Sequence, residues 1–331
     1  MKICSLLPIA ILMTSCLSLF EGSFEIPDTA DMRWYKGNTH AHSSKSVGNV
    51  SAMDVAAWYK TNGYQFLVLT DDVVPSDPAL ISRISDATFI LIPGMEIKSY
   101  FGSRWVHTNG LNSAREIFPQ EADTLSKTLQ INIDNILASK GVPQINHPQF
   151  REGPDKDTIL KSINCNLMEI YNGAVGPDAA GETGYLSTEL DWDYILTAGK
   201  CLFGIAADDA NTFPGNSGGY GGKPGRGWVV VRSSKLDPEE ICRNLQKGLF
   251  YASSGVELED IVIAPKRMTI IISQKENLTY KTVFIGDNGR VLYSTKKNPA
   301  VFGLNRPTKY VRAKVTDAEG KAAWIQPIFT R

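Results

Sequence analysis

Short, almost unbroken apolar runs that recur between helical stretches constrain this chain more than any other feature. Residues 65–70, 89–92, 142–147, 167–171, 201–207 and 228–231 are such runs, and each ends at polar or turn residues. Runs this short and this continuous suit strands covered on both faces. Helical signals lie between them. Ser51-x-x-Asp54 fits a capping box, Val55, Ala56, Trp58 and Tyr59 supply an apolar face, and Gly63 stops the helix. Over residues 121–140, Leu125, Leu129, Ile133 and Ile136 recur at helical spacing before Gly141. Further helices are expected at 188–198 and 238–247. Strand–helix alternation predicts a parallel sheet, either doubly wound or closed into a barrel.

After Gly255 the rhythm becomes β-rich, with runs at 260–264, 268–273, 281–285, 290–294, 310–316 and 322–328. Asp287-Asn288-Gly289 and Glu319-Gly320 read as turns. The expected organisation is an α/β unit over 31–255 followed by a small all-β C-terminal domain over 256–331. The length of 331 residues suits a barrel of roughly 250 residues with an appendage.

The N-terminus reads as an export signal. Lys2 precedes an apolar stretch over 3–12, and Met13-Thr14-Ser15-Cys16 follows. A cysteine after small residues is similar to a lipoprotein signal, with Cys16 as the lipidation site. Residues 17–30 then form a tether, and the protein is expected to be exported and anchored to a membrane by its lipid. A plain cleaved signal is the alternative. Cys165, Cys201 and Cys242 remain, an odd number lying in or beside apolar runs, which reads as small buried hydrophobes rather than a disulfide framework. The net charge of −1 provides no basic excess for nucleic acid. Neither GxGxxG nor GxxxxGK[ST] occurs, so neither nucleotide fingerprint is present.

Chemistry collects at the strand ends. The whole chain holds four histidines, His40, His42, His107 and His147, each at or beside the end of a strand-like run. His40 and His42 stand two apart, which puts both imidazoles on one face of a strand. Asp71, Asp72, Glu96, Asp208 and Asp209 are similarly placed. Imidazole and carboxylate donors without thiolate suit Zn, Mn or Fe, and this many can hold more than one ion. A metal pair would activate water and clamp a phosphoryl group in displacement.

In order, His40-x-His42, Thr70-Asp71, Pro93-Gly94-x-Glu96, His107, Asn146-His147-Pro148 and a late Asp209 resemble the motifs of the polymerase and histidinol phosphatase (PHP) family. The resemblance spans roughly 33–255, and segments 250–255 and 323–328 look like its exported branch. It implies a distorted (β/α)7 TIM-like barrel with up to three metals. One metal would take His40, His42, Glu96 and Asp209; a second would share Glu96 and add His107 and His147. Asp72 and Asn211 stand where the family places histidines, so the resemblance implies two divalent ions with the third site lost, Asp72 remaining a possible ligand.

Of the adjacent Asp208 and Asp209, one is expected to ligate and the other to orient a ligand histidine; the family's spacing selects Asp209 as ligand. Asp71 is a candidate general base, with a loop carboxylate as the plain alternative. Lys45 is a candidate for an ammonium that stands where a third ion would sit; otherwise it is a solvated loop lysine. The segment 211–226 carries six glycines with Lys223 and Arg226 and reads as a substrate loop. Arg104 is a further substrate candidate. The expected activity is hydrolysis of a small-molecule phosphoester or another anionic ester. The rivals are a carbamate, ester or amide hydrolase on the same metals, and a non-catalytic ligand-binding surface lipoprotein.

Overall fold

The computed structural model describes residues 29, 31–72, 77–113, 115–148, 150–174, 184–305 and 307–330. The signal expected over 1–16, Cys16 included, and the tether over 17–30 lie outside the described residues, apart from Thr29. Among the described residues no helix is long and apolar enough to cross a membrane.

The fold is mixed α/β around one large sheet. β1 (Arg33–Asn38), β2 (Phe66–Leu69) and β3 (Ile90–Phe101) run parallel. So do β5 (Val142–Ile145), β6 (Leu167–Asn172) and β7 (Phe203–Ala207). Between these trios β4 (Arg104–Leu111) is antiparallel to both neighbours. On the other side of β1 lies β8 (Trp228–Ser233), antiparallel to it, and beyond β8 lies β9 (Phe250–Ser253), antiparallel to β8.

The tail extends this sheet. β16 (Ala322–Phe329) pairs with β9, and β15 (Tyr310–Asp317), β12 (Tyr280–Gly286) and β13 (Arg290–Thr295) follow outward, completing thirteen strands. β10 (Leu258–Ala264), β11 (Arg267–Ile272) and β14 (Ala300–Gly303) form a separate three-stranded sheet.

Helices cover the sheet: α1 (Ala52–Thr61), α2 (Pro78–Ile84), α3 (Leu125–Ala138), α4 (Lys156–Lys161), α5 (Gly184–Thr197) and α6 (Pro238–Gln246). The expected cap of α1 is present, with the Asp54 N–H donating to Ser51 Oγ at 3.3 Å. Leu125, Leu129, Ile133 and Ile136 on α3 are all buried. Side chains of this size contribute about 1.5–3 kcal/mol each on burial.

Two features depart from an all-parallel barrel. Residues 93–96 do not end β3: the strand runs through Glu96 to Phe101 and returns as β4 after a tight turn at Gly102 (φ +61°). A turn this short allows only an antiparallel partner, since a parallel one needs a crossover connection. The sheet is also not closed, because no ladder joins β7 to β8 or β1 among the described residues. Instead the Gln326 side chain on β16 satisfies the free edge of β7, accepting from the Gly204 N–H and donating to its carbonyl, both at 2.8 Å. One isolated bridge, Ala41 to Ala210, draws the ends of β1 and β7 together, with the His42 N–H donating to Ala210 O at 2.8 Å.

Candidate metal centre

That bridge places Asp209 beside the His40–His42 pair. His42 Nε2 lies 3.2 Å and His40 Nε2 3.4 Å from Asp209 Oδ1, and the two Nε2 atoms stand 3.3 Å apart. From β3, Glu96 reaches into the same space. Its carboxylate lies 3.4 Å from His40 Nε2, 3.5 Å from His42 Nε2, 3.2 Å from His107 Nδ1 and 3.4 Å from His147 Nε2. Every histidine of the chain thus faces one carboxylate. The four imidazoles and Glu96 are buried.

These spacings fit shared ions. Two atoms bound to one tetrahedral ion at about 2.1 Å stand about 3.4 Å apart. Two facing imidazole nitrogens at 3.3 Å are awkward as a hydrogen bond and natural as a pair of ligands. The donors sort into His40, His42 and Asp209, and Glu96, His107 and His147; His42, Asp72 and Glu96 form a third grouping.

The surroundings orient the rings. The Nδ1 of His40 is 2.7 Å from Glu169 Oε1, a true hydrogen-bond distance, so Nδ1 donates to Glu169 and Nε2 is the nitrogen left to face the other donors. The same carboxylate accepts from Gln144 Nε2 (3.2 Å), the His147 N–H (2.8 Å) and Asn172 Nδ2 (2.9 Å). Asp71 does parallel work for His42. It accepts from the Ser43 N–H and Oγ and from Ser46 Oγ, and Ser46 Oγ lies 3.2 Å from His42 Nδ1. Asn146 Nδ2 donates to Glu96 at 3.1 Å, and Asn172 Nδ2 to Asp209 at 3.2 Å.

The backbone is strained where it delivers two of the donors: φ is +23° at His147 and +50° at Asp209. Such conformations cost on the order of 1–3 kcal/mol each and cluster at functional sites.

Burial and charge compete here. Burial alone would lower the His40 pKa, but Asp209, Glu169 and Glu96 outweigh it, and the net shift is upward. His147 also moves up, its burial overcome chiefly by Glu96. His107 stays low because burial dominates. Burial would raise Glu96 and Asp209, yet the facing imidazoles hold both carboxylates well down.

The structure brings together six of the candidate ligands: His40, His42, Glu96, His107, His147 and Asp209. Asp72 sits at their rim, tied to Glu96 by an isolated strand bridge. The remaining candidates stand elsewhere. Asp208 points away, accepting from Tyr59 Oη (2.8 Å) and the N–H groups of Gly225, Arg226 and Gly227 (2.9, 2.6 and 2.8 Å). Burial pushes its pKa up to about 6 against those bonds. Lys45 is exposed. Arg104 Nε donates to Glu152 O at 2.7 Å. Asn211 pins the glycine-rich segment, its Oδ1 accepting from the N–H groups of Tyr220 (2.8 Å) and Gly222 (3.1 Å). Lys223 and Arg226 on that segment are exposed, and Arg226 Nη1 donates to Gly173 O at 3.1 Å.

Two residues at the centre escaped the sequence reading. Glu169 is a charge in the middle of the apolar strand β6, and that anomaly was its only signal. Lys98 lies two residues after Glu96 on β3 and so shares its face. Its ammonium is 2.7 and 2.9 Å from the two Asp72 oxygens and 3.4 Å from Glu96 Oε2.

No family model and no curated protein matches the chain. Among solved structures it is similar to a two-domain protein of Bacteroides vulgatus containing a predicted PHP-like metal-dependent phosphoesterase. The identity there is 15%, with 88% of this chain and 92% of that one covered and a TM-score of 0.48. It is also similar to an amidohydrolase of Chromobacterium violaceum, at 14% identity, 55% and 89% coverage and a TM-score of 0.41.

Proposed function

We propose that this chain is a metal-dependent hydrolase of phosphoesters, acting through two divalent ions held by His40, His42, Glu96, His107, His147 and Asp209. One observation carries the reading: all four histidines of the chain bring a ring nitrogen within 3.5 Å of the Glu96 carboxylate. The ordered PHP-like motifs supply the same ligands and favour phosphoesters among the possible substrates. When bound, such a pair supplies Lewis acidity and acidifies a water enough to attack at neutral pH.

The protein's own groups do the rest. Glu96 faces both donor groups and holds them in one unit. Glu169 and the Asp71–Ser46 pair engage Nδ1 of His40 and His42 and so aim Nε2 of both rings inward. The centre opens toward Asp72, Lys98 and Asp209, whose side chains are 30, 21 and 15% exposed, whereas no histidine side chain exceeds 7%. A substrate therefore approaches from the side where the Lys98 ammonium offsets carboxylate charge. The leader-like residues 1–16 support placing this activity outside the cytoplasm on a lipid anchor at Cys16; loss of membrane association in Cys16→Ser tests that.

The central test combines metal analysis with a panel of phosphate, carboxylate and carbamate esters on wild type and Glu96→Ala. The expected result is a metal-loaded wild type that cleaves phosphoesters and a Glu96→Ala protein that loses both metal and turnover. Metal-free wild type refutes the reading. Turnover of carboxylate or carbamate esters alone would shift it to that reaction, and bound metal with no turnover would favour the ligand-binding lipoprotein.

A further inference from the structure

The third grouping, His42, Asp72 and Glu96, has the donor types of a metal site, yet its geometry differs from the other two. His42 directs Nε2 at Asp209 and Glu96 and leaves only Nδ1 near Asp72, at 3.8 Å. That Nδ1 already lies 3.2 Å from Ser46 Oγ. With His42 spent on the first group, two carboxylates remain: Asp72 and the Oε2 side of Glu96. Between them stands Lys98 Nζ, at 2.7 and 2.9 Å from Asp72 and 3.4 Å from Glu96.

The placement follows from the backbone. Glu96 and Lys98 share a face of β3, and the Asp72–Glu96 bridge docks Asp72 against that face. We infer that Lys98 is the resident cation of this third grouping, so that its ammonium occupies the position an additional divalent ion would take and keeps the centre binuclear. This rests on the two-ion reading above.

The chemistry is consistent. Two carboxylates with water completing the shell are enough for a hard ion such as Mg²⁺ or Mn²⁺. An ammonium within 3.4 Å of the same oxygens balances them with one charge, and it repels a divalent ion that would need its place. Lys98 is thus a positioning residue: it sets how many metals the site accepts and holds Asp72 at the open rim.

The test is Mn²⁺ stoichiometry, measured by equilibrium dialysis with elemental analysis on the full folded chain, for wild type, Lys98→Ala, Lys98→Gln and Lys98→Arg. The Gln variant keeps the first two methylenes of the stem and ends in a neutral amide, so it answers if the Ala variant fails to fold. Wild type and Lys98→Arg should hold about two ions and the Ala or Gln variant about three, the extra one weak and lost again when Asp72→Asn is added. Three ions in wild type, or two or fewer in both neutral variants, would overturn the inference while leaving the metal centre standing. A wild type that binds no Mn²⁺, Zn²⁺ or Fe²⁺ would take down the two-ion reading and the inference together.

Discussion

Substituting Glu169 by Gln removes one charge and changes almost no volume, yet it should disable the centre. The carboxylate is buried and accepts four hydrogen bonds, two on each oxygen. Oε1 takes His40 Nδ1 and Gln144 Nε2; Oε2 takes the His147 N–H and Asn172 Nδ2. A glutamine has one accepting oxygen, so its NH₂ must face one of these pairs. Facing His147 would set it against a backbone N–H, which cannot rotate away. Facing His40 is the cheaper choice, because an imidazole can move its proton to Nε2 and accept at Nδ1. That rescue puts the proton on the nitrogen proposed to bind metal. Disturbing such an orienting partner typically costs 10–100-fold in metal affinity, or roughly 1.4–2.7 kcal/mol. The assay is chelator competition with Zn²⁺ or Mn²⁺, alongside thermal unfolding of the metal-free protein. Affinity within about twofold of wild type in a folded Glu169→Gln protein would refute the assignment of Glu169 as the group that sets the His40 tautomer.

Four further outcomes are expected. Metal affinity should fall as pH drops, because His40 and His147 have raised pKa values and a bound proton must leave before metal enters; calorimetry in buffers of different ionisation heat should show proton release, and its absence would refute this. In the metal-free protein the same two histidines contribute stability that is complete below the unfolded value of about 6.5 and lost as pH rises through their raised folded values. Asp208→Ala removes the acceptor of three backbone N–H groups and the Tyr59 hydroxyl; the Gly227 N–H and the Tyr59 hydroxyl are the buried ones, at about 1–3 kcal/mol for each buried unpaired group. Chemical denaturation should therefore show a larger loss than for Tyr59→Phe, and an equal loss would contradict a role for Asp208 beyond its bond to Tyr59. Arg312 is buried and pairs with Asp193 at 2.6 and 2.7 Å, joining β15 to α5; Arg312→Met should cost about 3–5 kcal/mol, with Asp193→Leu added to it restoring part. A second substitution that only deepens the loss would show that the pair itself is not the source.

The amino-acid sequence determined which donors the centre has. Ligation demands imidazole and carboxylate, and a chain with four histidines, all at the ends of apolar runs, leaves few ways to assign them. It determined the strand–helix alternation as well, because periodicity and caps are local properties. The antiparallel hairpin of β3 and β4 was less legible: Glu96 read as a strand end, while the turn that redirects the chain lies beyond it at Gly102. The roles of Lys98 and Glu169 were decided by tertiary structure, even though Glu169 stood out as a charge inside an apolar strand. Their partners, Asp72 and His40, lie 26 and 129 residues away along the chain. A lysine or a glutamate looks the same in sequence whether it meets water or a buried opposite charge; only the packing of distant strands brings those charges within hydrogen-bond reach.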